Sequence, residues 1–121
     1  MILVDSSKWI DHLRQSESVL THLLTNRQVL SHPFVIGELA MGNLNPRDSF
    51  LHILGLLPEA VVARNDEVLR FVAHHKLFGL GIGYVDAHLL VAVQLTPGAK
   101  IWTRDKRLLS AAQSLHLVFI P

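Results

Sequence analysis

Ten carboxylates stand in this 121-residue chain, and four of them occupy positions that solubility does not explain. Asp5 ends the apolar run Ile2-Leu3-Val4, and Asp105 follows the run Lys100 to Thr103, so both fall where a strand gives out. Glu38 shares a helical face with Phe34, Val35 and Met41; Asp86 shares one with Leu89, Leu90 and Val93. A carboxylate on an apolar face is costly to bury unless it is paired or bound to a metal. No Lys or Arg lies within one turn of Glu38 or Asp86. The other six acids read as a solvated surface. Asp11 lies between Lys8 and Arg14, Asp66 and Glu67 precede Arg70 at helical spacing, and Glu17, Asp48 and Glu59 fall in loops or near helix starts.

Taken singly, Asp5 and Asp105 are also well placed to cap the helices that follow them. Glu38 and Asp86 have neither a cap nor an ion pair on offer. Four acids brought together would repel, and a hard divalent cation is the usual remedy. All-oxygen ligation favours Mg²⁺ or Mn²⁺ over zinc. Such a site suits phosphodiester hydrolysis, in which the ion polarises a phosphoryl oxygen and activates water.

The elements that must position these acids alternate between short apolar runs and helical patterns. Strands are expected at Ile2–Val4, Gln28–Leu30, Ala60–Val62, Lys100–Thr103 and Leu117–Ile120. Helices are expected from Ser6 to Arg14 with Trp9, Ile10 and Leu13 at helical spacing, and around Leu20, Leu23 and Leu24. Others run from Pro33 to about Met41, and from Pro46 with Phe50, Ile53, Leu54 and Leu57 on one face. One capped by Asn65 or Asp66 reaches Lys76 with Val68, Phe71 and Val72 inward. Two more span Tyr84–Leu95 and Lys106–Leu115. Strands alternating with helices predict an α/β fold, a mostly parallel sheet covered on both faces. Sites in such sheets lie beyond the carboxyl ends of the strands.

Composition bounds the rest. One domain, residues 1–121, is expected from the length. Half the residues are apolar and 17% are charged, enough for a core and suggestive of a partner on leftover apolar surface. A net charge of +1 means that any nucleic acid must be gripped by a local patch. With no cysteine there is no disulfide, thiolate nucleophile or thiolate zinc site. The N-terminus lacks a signal-peptide pattern, and no apolar stretch reaches the roughly 18–20 residues of a membrane span. A soluble cytoplasmic protein is therefore expected.

Four segments then carry a resemblance: Ile2-Leu3-Val4-Asp5-Ser6-Ser7-Lys8-Trp9-Ile10, Gly37-Glu38-Leu39, Tyr84-Val85-Asp86-Ala87-His88-Leu89-Leu90 and Trp102-Thr103-Arg104-Asp105-Lys106-Arg107-Leu108. In order, spacing and neighbours they resemble the four motifs of PIN-domain proteins, especially bacterial VapC toxins, across essentially the whole chain. The resemblance implies an α/β/α sandwich around a parallel sheet and cleavage of structured RNA, transfer or ribosomal, dependent on Mg²⁺ or Mn²⁺. It implies a homodimer, and a VapB antitoxin that blocks the site in a toxin–antitoxin complex. It makes Asp5, Glu38, Asp86 and Asp105 the catalytic acids, with Asp5, Asp86 and Asp105 as metal ligands and the Thr103 hydroxyl holding the site or its water.

Arg104, Lys106 and Arg107 are candidate RNA contacts, Arg104 foremost, against the alternative of a solvated turn. The eight histidines show no metal-ligand spacing and read as surface or half-buried. Gly79, Gly81 and Gly83 do not form a dinucleotide fingerprint and instead loosen the chain before the Asp86 helix. A receiver-type phosphoacceptor domain would need an early acidic pair, and a haloacid-dehalogenase-type phosphatase would need an acid where Ser7 stands. A PIN-domain RNA-processing nuclease without an antitoxin keeps the fold and changes the task.

Overall fold

Apolar segments far apart in the chain meet in one parallel sheet. The structure is a computed structural model describing residues 1–121. Its strands are β1 (Ile2–Val4), β2 (Val29–Leu30) and β3 (Lys100–Trp102), in the order β2-β1-β3. β1 pairs in parallel with both neighbours, Leu3 facing Leu30 on one side and Ile101 on the other. Side chains alternate between the faces of a strand. Leu3 and Val4 therefore point to opposite faces, and both are wholly buried. Helices thus cover both faces, and each such side chain contributes roughly 1.5–3 kcal/mol by leaving water.

Seven helices fill the intervals: α1 (Ser6–Arg14), α2 (Ser18–Thr25), α3 (Pro33–Ala40), α4 (Arg47–Leu56), α5 (Asn65–His74), α6 (Tyr84–Leu95) and α7 (Lys106–Ser114). Between Asp86 and Gln94, α6 is apolar except for His88, and every residue from Ala87 to Val93 is buried, as befits a helix sunk in the core. α1 packs on α3 and α3 on α4, while α6 contacts α5 and β3. Trp9 anchors α1 by standing edge-on to Phe50 of α4 at 5.9 Å.

Several expectations need correction. The strand expected at Ala60–Val62 is reduced to one parallel bridge between Ser31 and Glu59, and that at Leu117–Ile120 to one between Ile101 and Val118. Each outermost segment makes only a pair of backbone bonds, such as Ile101 N–H to the Leu117 carbonyl and Phe119 N–H to the Ile101 carbonyl, both 2.8 Å. Ile10, Leu13 and Ile53 lie at the surface, on the outer flank of their helical stripes. Arg64, not Asn65 or Asp66, holds the cap position of α5, and its backbone N–H donates to the Glu67 carboxylate at 2.8 Å.

Candidate active site

The carboxyl ends of β1 and β3 open on the same edge of the sheet because the strands are parallel. Asp5 follows β1 directly, and its backbone N–H donates to the Trp102 carbonyl at 2.9 Å, extending the ladder by one residue. The residue is only 5% exposed. It opens α1 without a side-chain cap bond, so the capping role open to it is not taken. Neutral hydroxyls hold its carboxylate instead. Thr103 Oγ1 donates to Asp5 Oδ2 at 2.8 Å and Ser7 Oγ donates to the same oxygen at 2.9 Å. Each hydroxyl also accepts a backbone N–H at 3.0 Å, Thr103 from Asp105 and Ser7 from Arg104. Asp5 thus sits in a buried, hydrogen-bonded seat without a cation, and its charge is uncompensated by the protein.

Glu38 approaches from the last turn of α3. Ser6 Oγ lies 3.5 Å from both Glu38 Oε1 and Asp5 Oδ1, so one hydroxyl spans the two acids. Glu38 is more exposed than its neighbours Phe34 and Val35 suggested, and Met41 on the same face is 87% exposed. Removal of its carboxyl from water, then the charges of Asp5 and Asp86, raise its pKa above the ordinary value, opposed by the Ser6 bond. Asp86, half-buried in the first turn of α6, is raised likewise: by burial first, then by Asp5 and, more weakly, Asp105. Its only protein donor is Gly83 N–H at 3.5 Å.

Asp105 does cap α7. Its Oδ1 accepts from Arg107 N–H and Leu108 N–H, both at 3.0 Å, leaving Oδ2 without a protein partner. The cap and a place in the cluster are compatible, since one oxygen serves each. The four acids feel one another's charge, and none belongs to an ion pair. The donor set is entirely oxygen, which suits Mg²⁺ or Mn²⁺. As the side chains are set, however, no three acidic or histidine groups are close enough to hold an ion directly among them.

The basic residues separate into two groups. Arg104, the foremost expected RNA contact, turns away from the acids, its Nε donating to Asp11 Oδ2 at 2.8 Å. Asp11 also holds Lys8 at 3.7 Å, so its partners are Lys8 and Arg104 rather than Lys8 and Arg14. Lys106 and Arg107 are exposed and join no carboxylate. Two of the histidines also depart from expectation. His32 and His88 are fully buried, their ring centroids 6.5 Å apart, and His32 Nδ1 caps α3 by accepting Phe34 N–H at 3.0 Å. Ser6 and Ser7 were not singled out in the sequence; their only signal was two hydroxyl residues directly after the strand-end acid.

No protein-family model matches the chain. Two curated relatives are 50% identical over 111 residues, covering 92% of this chain and 90% of theirs: Ribonuclease VapC32 of Mycobacterium tuberculosis, strains CDC 1551 and H37Rv. Among solved structures, PAE2754 from Pyrobaculum aerophilum superposes with a TM-score of 0.60 at 17% identity, covering 94% of this chain and 85% of that one. At that identity the second likeness speaks for the fold alone. The first, at half identity over nearly the whole length, means that this chain belongs to the VapC ribonuclease family of PIN-domain toxins.

Proposed function

We propose that this chain is the toxin of a VapBC pair, an endoribonuclease whose hydrolysis of structured RNA depends on Mg²⁺ or Mn²⁺. The observation that carries the metal dependence is the gathering of the acids at one sheet edge, with Ser6 Oγ 3.5 Å from both Asp5 and Glu38 and no ion pair to Asp5, Glu38, Asp86 or Asp105. Mg²⁺ gives up its waters reluctantly and is commonly held by one or two carboxylates directly and by others through water. When bound, such an ion polarises a phosphoryl oxygen and lowers the pKa of a water. Asp5, Asp86 and Asp105 are the proposed ligands. Ser7 and Thr103 keep Asp5 aimed at the site, and Glu38 is placed to reach the ion or its water from α3.

The proposed partner is a VapB antitoxin, with a homodimer as the toxin's own assembly. A groove of about 410 Å³ is lined by Ile10, Leu13, Leu39 and Leu44 together with Arg14, Glu38 and Asn43. An antitoxin segment with an apolar face fits there, and a guanidinium at its tip could bridge two of the acids. The test of the enzyme is direct: purified protein with total RNA, chelator, and then Mg²⁺ or Mn²⁺ added back. Cleavage should stop in EDTA and return with the ion, and full activity in chelator refutes the metal reading.

A further inference from the structure

α7 carries cations that its fold does not use. Lys106 and Arg107 make no ion pair, although Arg104, two residues earlier, is taken by Asp11. Arg107 makes one long backbone contact. Its side chain lies across Gly81, with Nη1 3.5 Å from the Gly81 carbonyl oxygen. Gly81 has φ +83°, a conformation that favours glycine, and a Cβ there would fall 2.7 Å from Arg107 Nη1 and push the guanidinium aside. Leu80 on the glycine loop and Lys106, Arg107, Ser110, Ala111 and Ser114 on α7 line a groove of about 350 Å³ without a carboxylate. Ser110 Oγ makes no hydrogen bond within the fold, whereas Ser114 Oγ donates to the Ala111 carbonyl at 2.8 Å. The donors left open are therefore Lys106, Ser110 and the remaining N–H groups of Arg107. Lys106 and Ser110 are one helical turn apart, about 6 Å along the axis, which is of the order of the spacing between successive phosphates in a strand.

This groove starts one residue beyond Asp105. A polyanion approaching four carboxylates is repelled, and a net charge of +1 supplies no attraction at long range. A compensating grip must be local and close to the acids. We infer that the α7 groove binds the sugar–phosphate backbone of substrate RNA to one side of the scissile phosphate, through Lys106, Arg107 and Ser110. The inference rests on the ribonuclease reading.

The test measures binding of a labelled single-stranded oligouridylate in EDTA across a salt series, with cleavage of total RNA in Mg²⁺ measured separately. Lys106→Gln and Ser110→Asp change exposed groove positions, and Lys76→Gln changes an unpaired cation just beyond α5. Circular dichroism should show all three folded like the wild type. Each neutralised phosphate contributes about 0.7 to the salt slope on single strands, so Lys106→Gln should lower it by about that amount. Binding at low salt should weaken roughly tenfold for Ser110→Asp, which places a negative charge in the groove. Lys76→Gln should match the wild type. Wild-type slope and affinity in both groove variants overturn the groove while leaving the ribonuclease reading intact, provided the wild type cleaves RNA. If the variants instead lose only antitoxin binding, the groove is a protein site and the inference also falls. If RNA binding drops but the wild type cleaves no RNA in Mg²⁺, the ribonuclease reading fails, and a substrate groove with it.

Discussion

Acid should destabilise this protein through one buried ring. His32 is wholly buried, and its Nδ1 must stay unprotonated to accept Phe34 N–H and cap α3. Burial first, and the neighbouring His88 second, lower its pKa from 6.5 to about 4. The unfolded chain therefore takes up a proton between pH 6.5 and 4 that the native state refuses, so stability falls as pH falls. At 1.36 kcal/mol per pKa unit the full loss is about 3 kcal/mol, of which about 2 kcal/mol is gone by pH 5. Against a typical total of roughly 5–15 kcal/mol, that is a large share. Glu38 and Asp86 act with the opposite sign. Their raised folded pKa values mean that the native state gains protons first as pH falls, which adds stability. His32→Asn separates the two effects, because asparagine caps a helix well but does not titrate. Urea midpoints at pH 7.5 and pH 5 should show the wild type losing about 2 kcal/mol more than the variant over this interval. Any cavity left by the smaller side chain is the same at both pH values and cancels. Equal losses in the two proteins would refute the assignment of the acid sensitivity to His32.

The remaining predictions concern the site and its partners. Asp86→Asn should abolish RNA cleavage and raise the melting temperature of the metal-free protein, because it removes a repelling charge that has only one weak donor; a variant still toxic at equal expression would exclude Asp86 from the site. Asp5→Asn should also abolish cleavage but without the same gain in stability, since two short hydroxyl bonds to a charged acceptor are weakened, which thermal unfolding of the pair compares. Thr103→Val should cost about 1–3 kcal/mol in denaturant unfolding by taking a hydroxyl donor from buried Asp5, with activity falling alongside. An antitoxin whose basic tip residue is changed to alanine should still bind the groove beside Leu39 and Leu44 yet inhibit less, as measured by residual RNA cleavage in the complex, and undiminished inhibition would make the block steric. Light scattering at micromolar concentration should give the mass of a dimer.

The fold was most legible where periodicity and punctuation agreed. Ser6–Arg14 and Tyr84–Leu95 begin and end where the sequence pattern put them, because strand-end residues, Gly83 and the Thr96-Pro97-Gly98 break mark their limits. The outer strands were over-read for a physical reason. Ala60-Val61-Val62 has β-type composition, but a strand is defined by its partner, and β2 is two residues long and leaves little edge to pair with. Buried histidines were missed because composition counts them as polar, whereas His32 is kept inside by a cap bond and by aromatic neighbours, Phe34 at 5.2 Å among them.

The acids of the candidate site were visible one by one, but what keeps them free of ion pairs was not. That depends on contacts across more than ninety residues: Thr103 with Asp5, and Arg104 with Asp11. Besides Lys106 and Arg107 on α7, the cations nearest to the cluster in sequence are Lys8 and Arg104, three residues after Asp5 and one before Asp105. Had either reached Asp5, the site would have neutralised itself and lost its attraction for a divalent ion. Each is engaged elsewhere. Lys8 lies 3.1 Å from Glu17 and over the Trp102 ring, and Arg104 is held at 2.8 Å by Asp11. The acids that read as an ordinary solvated surface thus have a part in the site: by occupying these two cations they leave Asp5 to neutral hydroxyl donors. An ion pair with an exposed partner, as Arg104 with Asp11, contributes little to stability, whereas Lys8 and Glu17 are partly buried. The consequence of both pairs is electrostatic, a negative cluster preserved beside positive side chains.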